Sequence, residues 1–255
     1  MGVNKITIDG VTKINLLNTD IESSADIPAG KYGYLKTGEL VLGTGENMSN
    51  LLTGKILAVT GDSICAGDGY AGGYAKIIGD DNGMTVQNIG VGGGTVTNSS
   101  GRFCISTSIA DIRADADYVL LEGGANDAWN VITEGSITSG FSDTLDTSTF
   151  AGAFETMLKS AINRFPEAKI GYIFIHKWAP QWDSRNANGN YYGIAKAACE
   201  KWGVPYCDLN TQAPPIGYIS TLASAYTANG DGMHPTEEGY RLFYVPKITA
   251  WMKGL

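Results

Sequence analysis

The chain has no run of residues long and apolar enough to span a membrane. Basic residues are in the minority, 18 Lys and Arg against 26 Asp and Glu, for a formal net charge of −8. The acids are scattered, and no basic face is available for a nucleic acid. Net charge of this size speaks to solubility and steering, and leaves neutral or sugar ligands open. Four cysteines, Cys65, Cys104, Cys199 and Cys207, and two histidines fit no zinc spacing, so no metal is expected. Four cysteines in 255 residues make no disulfide framework and read as free, small core residues. The opening residues from Met1 to Gly10 lack the apolar centre of a secretory signal, and Ile6 stands where a myristoylation motif needs Ser or Thr. Charged residues are only 17% and hydrophobic ones 43%, which excludes a disordered chain and provides for a substantial core.

What is present falls into two textures. Residues 1–50 alternate short β-prone pieces, Lys5 to Ile8 and Lys31 to Leu35, with turns at Asp9-Gly10 and Thr44-Gly45. This predicts a small β-rich appendage with little core of its own, which packs on the main domain or on other copies of the chain. Residues 51–255 read as one domain of alternating strands and helices. Strands are expected at 55–60, 85–89, 118–122, 170–175 and 205–208. Helices are expected at 73–78, 147–165 and 191–202, with a last one from near Thr236. In the helix at 147–165, Phe150, Phe154, Met157, Ala161 and Phe165 share one face, and Pro166 stops it. The last helix is expected to turn Tyr240, Phe243, Ile248 and Trp251 inward and to kink at Pro246. Strand–helix alternation implies an α/β fold, a parallel sheet covered on both faces, with ligands at the carboxyl ends of its strands.

Three segments follow those ends. Gly61-Asp62-Ser63-Ile64 comes directly after the first strand, Asn88 to Thr95 after the second, and Gly123-Gly124-Ala125-Asn126-Asp127 after the third. Each is also what an ordinary glycine-rich turn looks like. Cys65 occupies the second glycine position of the Gly-x-Ser-x-Gly elbow, so the chain is not a standard α/β-hydrolase. Gly67, Gly69 and Gly72 match the dinucleotide fingerprint in spacing alone. They start too far past the strand, and the second strand ends in Asn88, not in an acid for a ribose. A fourth segment, Asp231-Gly232-Met233-His234-Pro235, precedes the last helix. Its acid and histidine are three residues apart, close enough to hydrogen-bond and leave one ring nitrogen for a serine.

In this order the four segments resemble the Ser, Gly, Asn and His blocks of the SGNH (GDSL-type) hydrolase superfamily, with Ile64 where the family often has Leu. The resemblance covers roughly residues 55–255. It implies a flavodoxin-like three-layer α/β/α sandwich with a five-stranded parallel sheet. It implies a serine esterase in which Ser63 attacks the acyl carbon, His234 takes its proton and Asp231 orients His234. The oxyanion would be held by the backbone N–H of Ser63, the backbone N–H of Gly93 (or its neighbour Gly92) and the side-chain amide of Asn126. Asp62 and Asp127 are expected to make structural hydrogen bonds. No cofactor is implied.

The substrate expected from the resemblance is a short acyl group, an O-acetyl on a carbohydrate, with Trp129, His176, Trp178 and Trp182 lining its site. Longer-chain lipase or thioesterase activity, or sugar binding without turnover, are the alternatives. Residues 27–44 are similar to short modules of phage tail and minor structural proteins. That likeness implies a virion-displayed enzyme, or else one in the bacterial cytoplasm, with the N-terminal segment available for homo-oligomer contacts.

Overall fold

The computed structural model describes residues 51–99, 101–177 and 190–255 in full, with the backbone of four short strands inside residues 1–50. The chain divides into two compact units, Met1–Thr53 and Gly54–Leu255. In the first, β1 (Lys5–Ile8) pairs antiparallel with β2 (Val11–Asn15), and β3 (Tyr32–Tyr34) pairs antiparallel with β4 (Leu40–Leu42). Most of the stretch similar to phage modules, including Ile27 to Lys31 and Gly43-Thr44, lies outside the described residues.

The second unit is built on five parallel strands: β5 (Ile56–Thr60), β6 (Thr85–Asn88), β7 (Tyr118–Glu122), β8 (Lys169–Phe174) and β9 (Tyr206–Asp208). Their order across the sheet is β6-β5-β7-β8-β9. The chain steps one way from β5 to β6 and the other way from β7 to β9. Parallel crossovers are right-handed, so this reversal puts the helix between β5 and β6 on one face and those between β7 and β9 on the other. The result is the expected three-layer α/β/α sandwich. The reversal also opens a crevice at the carboxyl ends of β5 and β7, the place where open sheets of this kind bind ligands. Among the described residues, no helix is long and apolar enough to cross a membrane.

The helices follow from their caps and stripes. After β5 comes the single turn α1 (Ser63–Ala66), then α2 (Gly73–Asn82). A second short turn, α3 (Ile105–Ser108), precedes β7, and α4 (Ala125–Trp129) follows it. α5 (Phe150–Arg164) starts at Thr149, whose hydroxyl accepts the Gly152 N–H, and buries Phe150, Phe154, Met157, Leu158 and Ala161. It packs on α3 and on α6 (Tyr191–Trp202). After β9 come α7 (Leu209–Gln212) and α8 (Ser220–Tyr226).

The last helical stretch departs from expectation. A turn at Glu237–Gly239 leads into a π-helical turn at Tyr240–Tyr244, and then α9 (Val245–Met252) with Pro246 in its first turn. Pro246 has no N–H to give, and the ladder widens in the turn ahead of it. The widening rotates the inward face. Tyr240, Tyr244, Ile248 and Met252 are fully buried, while Phe243 and Trp251 stay half-exposed. All four cysteines are free thiols.

Candidate active site

Ser63 opens α1 immediately beyond β5. Asp62 caps that turn, its Oδ1 accepting the Ile64 N–H at 3.0 Å. Gly61 is required here. A Cβ on it would stand 2.6 Å from both the Cys65 Cβ and the Glu122 Oε2. Ser63 itself is 7% exposed, and its hydroxyl lies 3.0 Å from His234 Nε2. His234 Nδ1 lies 2.6 Å from Asp231 Oδ2. The other oxygen, Asp231 Oδ1, accepts the Met233 N–H at 2.8 Å and the His234 N–H at 3.0 Å. Burial raises the Asp231 carboxyl, but these backbone and imidazole hydrogen bonds outweigh it and hold the group below its ordinary value. An ionised Asp231 keeps the proton of a neutral His234 on Nδ1 and turns the unprotonated Nε2 to the serine.

The loop carrying Asp231 and His234 is anchored at both ends. Thr227 Oγ1 accepts the Gly232 N–H, and the Ala228 N–H donates to the His234 carbonyl at 2.7 Å. The glycines that mimic a dinucleotide fingerprint are part of this anchorage. A Cβ on Gly69 would fall 2.2 Å from the Pro235 carbonyl oxygen, so a bare backbone at 69 lets the segment after α1 lie directly against the histidine loop.

The glycine loop after β6 is joined to both neighbours. The Val91 N–H donates to the Gly61 carbonyl, and Asn126 Nδ2 donates to the Gly94 carbonyl at 3.0 Å. That bond uses one of the two Asn126 amide protons and leaves the other for a ligand. The Gly94 N–H is committed to Val91, whereas among the described residues neither the Ser63 nor the Gly93 N–H donates to the protein. Arg102 holds the outside of the loop, donating to the Gly93 carbonyl and to Asn130 Oδ1. Asp127 is fully buried, and among the described residues its hydrogen bonds do not go to the Ser63–His234 pair. Its carboxylate takes the Val96 and Thr97 N–H groups and the Thr97 hydroxyl.

Three residues gain roles that their own segments did not announce. Asn88 Nδ2 donates to the Cys65 and Gly72 carbonyls, while its Oδ1 accepts the Gly90 N–H, so one side chain fastens α1, α2 and the glycine loop together. Glu122, at the end of β7, reaches under α1. The one signal for it in the sequence is an acid ending an otherwise apolar strand. His176 is corrected from the substrate-lining role expected of it. It is fully buried, its Nδ1 is bonded to the Tyr244 hydroxyl, and its Nε2 lies 3.3 Å from the Gly232 carbonyl. A carbonyl only accepts, so Nε2 carries the proton and Nδ1 accepts from Tyr244. Burial pushes this imidazole down to about 4, so it stays neutral. His176 thus braces the loop of His234 from inside the core. Four residues away from Tyr244, the Tyr240 hydroxyl donates to the Ile64 carbonyl. The π-helical turn therefore supports both sides of the site.

Beside α4 lies a cleft of about 590 Å³. Gly124 and Ala125, the neighbours of Asn126, form part of its wall. Phe150, Tyr172, Phe174 and Tyr191 form an aromatic floor, with Lys177 and Tyr218 at exposed positions. Trp129 is half-buried at the end of α4 and is not among the walls of this cleft. Trp178 and Trp182 lie outside the described residues. Among the described residues, no group of three or more His, Cys, Asp or Glu side chains is arranged to hold a metal ion.

Residues 59–242 match the GDSL-like lipase/acylhydrolase family. A protein from Lactobacillus plantarum is similar in structure, with a TM-score of 0.68, 25% identity, and coverage of 79% of this chain and 98% of its own. Phospholipase A1 from Streptomyces albidoflavus NA297 shares the fold at a TM-score of 0.54 and 14% identity, covering 78% of this chain and 99% of its own. An active-site mutant of a family two carbohydrate esterase from Clostridium thermocellum does so at 0.50 and 17%, covering 78% of this chain and 63% of its own. No curated protein matches the chain in sequence. The match over residues 59–242, together with a five-stranded sheet that carries the four sequence blocks to one rim, makes this chain a member of the GDSL-like lipase/acylhydrolase family and, at that level, an ester hydrolase.

Proposed function

We propose that the protein hydrolyses carboxylic esters by a two-step acyl-transfer mechanism on Ser63. The observation that carries this reading is the continuous chain from Ser63 Oγ to His234 Nε2 at 3.0 Å and from His234 Nδ1 to Asp231 at 2.6 Å. As Oγ attacks the acyl carbon, its proton passes to His234 Nε2, and Asp231 steadies the imidazolium. The oxyanion takes hydrogen bonds from the Ser63 and Gly93 N–H groups and the remaining proton of Asn126 Nδ2. Collapse expels the alcohol, which receives the proton from His234. A water, deprotonated by His234, then attacks the acyl-enzyme and releases the acid and Ser63. The test is hydrolysis of a p-nitrophenyl ester by the wild type beside Ser63→Ala. We expect the variant to keep its circular dichroism spectrum and lose turnover; equal rates would remove Ser63 from the reaction.

The cleft beside α4, walled by Gly124, Ala125 and Ala128 and not by Ser63 or His234 themselves, is our candidate site for the acyl group. Its floor is apolar, aromatic and much larger than an acetyl methyl group needs, so it favours an ester with a bulky apolar acyl or aryl portion. The second reading is a short acyl group on a carbohydrate, for which the exposed Tyr218 offers a ring face to a sugar. Relative kcat/KM for p-nitrophenyl octanoate and acetate separates them. Preference for octanoate, reduced in Phe174→Asp, supports the cleft as the acyl site. Preference for acetate, unaffected by that change, supports the carbohydrate reading.

A further inference from the structure

The turn that carries Ser63 rests on two carboxyl groups that neither the acyl-transfer mechanism nor the family match uses. Asp62 and Glu122 are both fully buried. Glu122 Oε2 accepts the Cys65 N–H at 3.1 Å and the Asp62 N–H at 3.3 Å. Asp62 Oδ1 accepts the Ile64 N–H, and the Asp62 carbonyl accepts the Ala66 N–H at 2.8 Å. Every amide from 62 to 66 is therefore engaged except that of Ser63. The two oxygens left over, Asp62 Oδ2 and Glu122 Oε1, are buried and receive no N–H or O–H donor. Among the described residues no salt bridge reaches either carboxyl. Glu122 Oε2 is bonded to the Asp62 backbone N–H, so the two carboxyls are buried neighbours, each with one oxygen that lacks a donor. Two bare carboxylates in that position would repel in a medium with little water to screen them, so the contact requires a proton.

We propose that Asp62 and Glu122 share one proton and, as a single acid–carboxylate unit, pin the nucleophile turn so that the Ser63 N–H alone among its amides is left to a ligand. Both are positioning residues. Glu122, as the acid, donates from Oε1 to Asp62 Oδ2, and each residue's other oxygen holds the backbone. Burial raises both groups, Asp62 to about 6 and Glu122 well above the usual carboxylate range, which keeps one proton on the pair at neutral pH. Gly61 belongs to the same device, since any side chain there would meet Glu122 Oε2.

The test joins a spectroscopic reading to a kinetic one, and only the kinetic arm rests on Ser63 being the nucleophile. Infrared spectra of the full chain at neutral pH should show the carbonyl stretch of a protonated carboxylic acid. That band should vanish in Glu122→Gln, where the amide can donate to Asp62, and should persist but shift in Asp62→Asn, where the buried Glu122 keeps its proton and donates to the new amide oxygen. Glu122→Gln should stay within a few-fold of wild-type kcat on a p-nitrophenyl ester. Glu122→Leu should lose on the order of 100-fold in kcat with KM little changed, because the serine and its amide drift from the acyl carbon. If Glu122→Leu does not fold, the Gln and Asn variants carry the test alone. A wild type without the band, a band that survives Glu122→Gln, or a Glu122→Gln variant with kcat down 100-fold would overturn the proposal. A wild type with the band but without esterase turnover would count against the chemistry assigned to Ser63 and not against the shared proton.

Discussion

Asp62 and Asp231 each stand beside a reacting side chain, yet the two regions that hold them are built in opposite ways. Asp62 lies in the buried floor of the nucleophile turn, pressed against a second carboxyl, and its acidity is weakened. Asp231 lies in a part-exposed loop, surrounded by N–H donors and an imidazole, and its acidity is strengthened. On the serine side, charge is suppressed and the carboxyls serve as clamps on the backbone. On the histidine side, charge is kept, because a carboxylate is what orients an imidazole. Each side is then steadied from the same π-helical turn, by Tyr240 on Ile64 and by Tyr244 through His176 on Gly232. Two aspartates within a few residues of the chemistry are therefore not interchangeable evidence for a triad; the groups around each one assign it.

The sharpest way to break this contrast is to remove the charge on the histidine side. Asp231→Asn keeps the shape but offers an amide to His234. We expect kcat/KM on p-nitrophenyl esters to fall about 10³-fold to 10⁴-fold with the fold retained. A loss below ten-fold would mean Asp231 is not what orients the ring. Asn126→Ala comes next. It removes one donor to the oxyanion and should cost roughly 10²-fold to 10³-fold in kcat, with KM changed much less.

A third change tests the brace. His176→Phe leaves the Gly232 carbonyl without its ring donor and removes the acceptor of the Tyr244 hydroxyl proton, while the backbone N–H of residue 176 still donates to that hydroxyl. It should lower stability by roughly 2–4 kcal/mol in urea unfolding, and unchanged stability would show that the brace is idle.

A last effect, comparable in size and spread over a pH range, is on pH dependence, and there the two sides pull against each other. His176 is held down to about 4 against an ordinary 6.5, so the unfolded chain takes up its proton first. Its contribution to stability is complete above pH 6.5 and is lost as pH falls toward 4, by about 3 kcal/mol in total for a shift of this size. Asp62 is raised to about 6 from 3.8, so its contribution is complete below pH 3.8 and is lost as pH rises through 6. His176→Gln removes only the first effect. Relative to the wild type, the variant should gain stability as the pH is lowered from 6.5 to 4. A constant difference across that range would show that His176 does not titrate on unfolding.

The five strands and the long helices could be read from the sequence because each carries a period or a stop: the apolar runs before Gly61 and Gly123, the stripe from Phe150 to Ala161, and Pro166 after it. The four-residue turns α1, α3 and α7 could not, since one turn is too short to show a helical period. The inward face of the last helical stretch differs from the one its sequence period implies because the π-helical turn adds one residue to the count, moving Tyr244 into the place expected for Phe243. Ser63, Asn126, Asp231 and His234 were nameable because each sits at a block of recognisable residues after a strand or before a helix. Apart from the Asn88–Gly90 bond, Asn88, Glu122 and His176 act through partners 16 to 68 residues away in the chain, and nothing local to them reveals which distant carbonyls and amides they will meet. The same limit applies to the cleft, whose aromatic floor is assembled from α5, β8 and α6 and is contiguous only after folding.

The most direct test of Ser63 as an activated nucleophile is covalent capture by diethyl p-nitrophenyl phosphate, read by mass spectrometry of the intact chain and of its peptides. We expect one diethylphosphoryl group per chain, located on Ser63, formed much more slowly in His234→Ala and not at all in Ser63→Ala. Labelling of the wild type at another residue, or at an equal rate in Ser63→Ala, would contradict the mechanism at its first step.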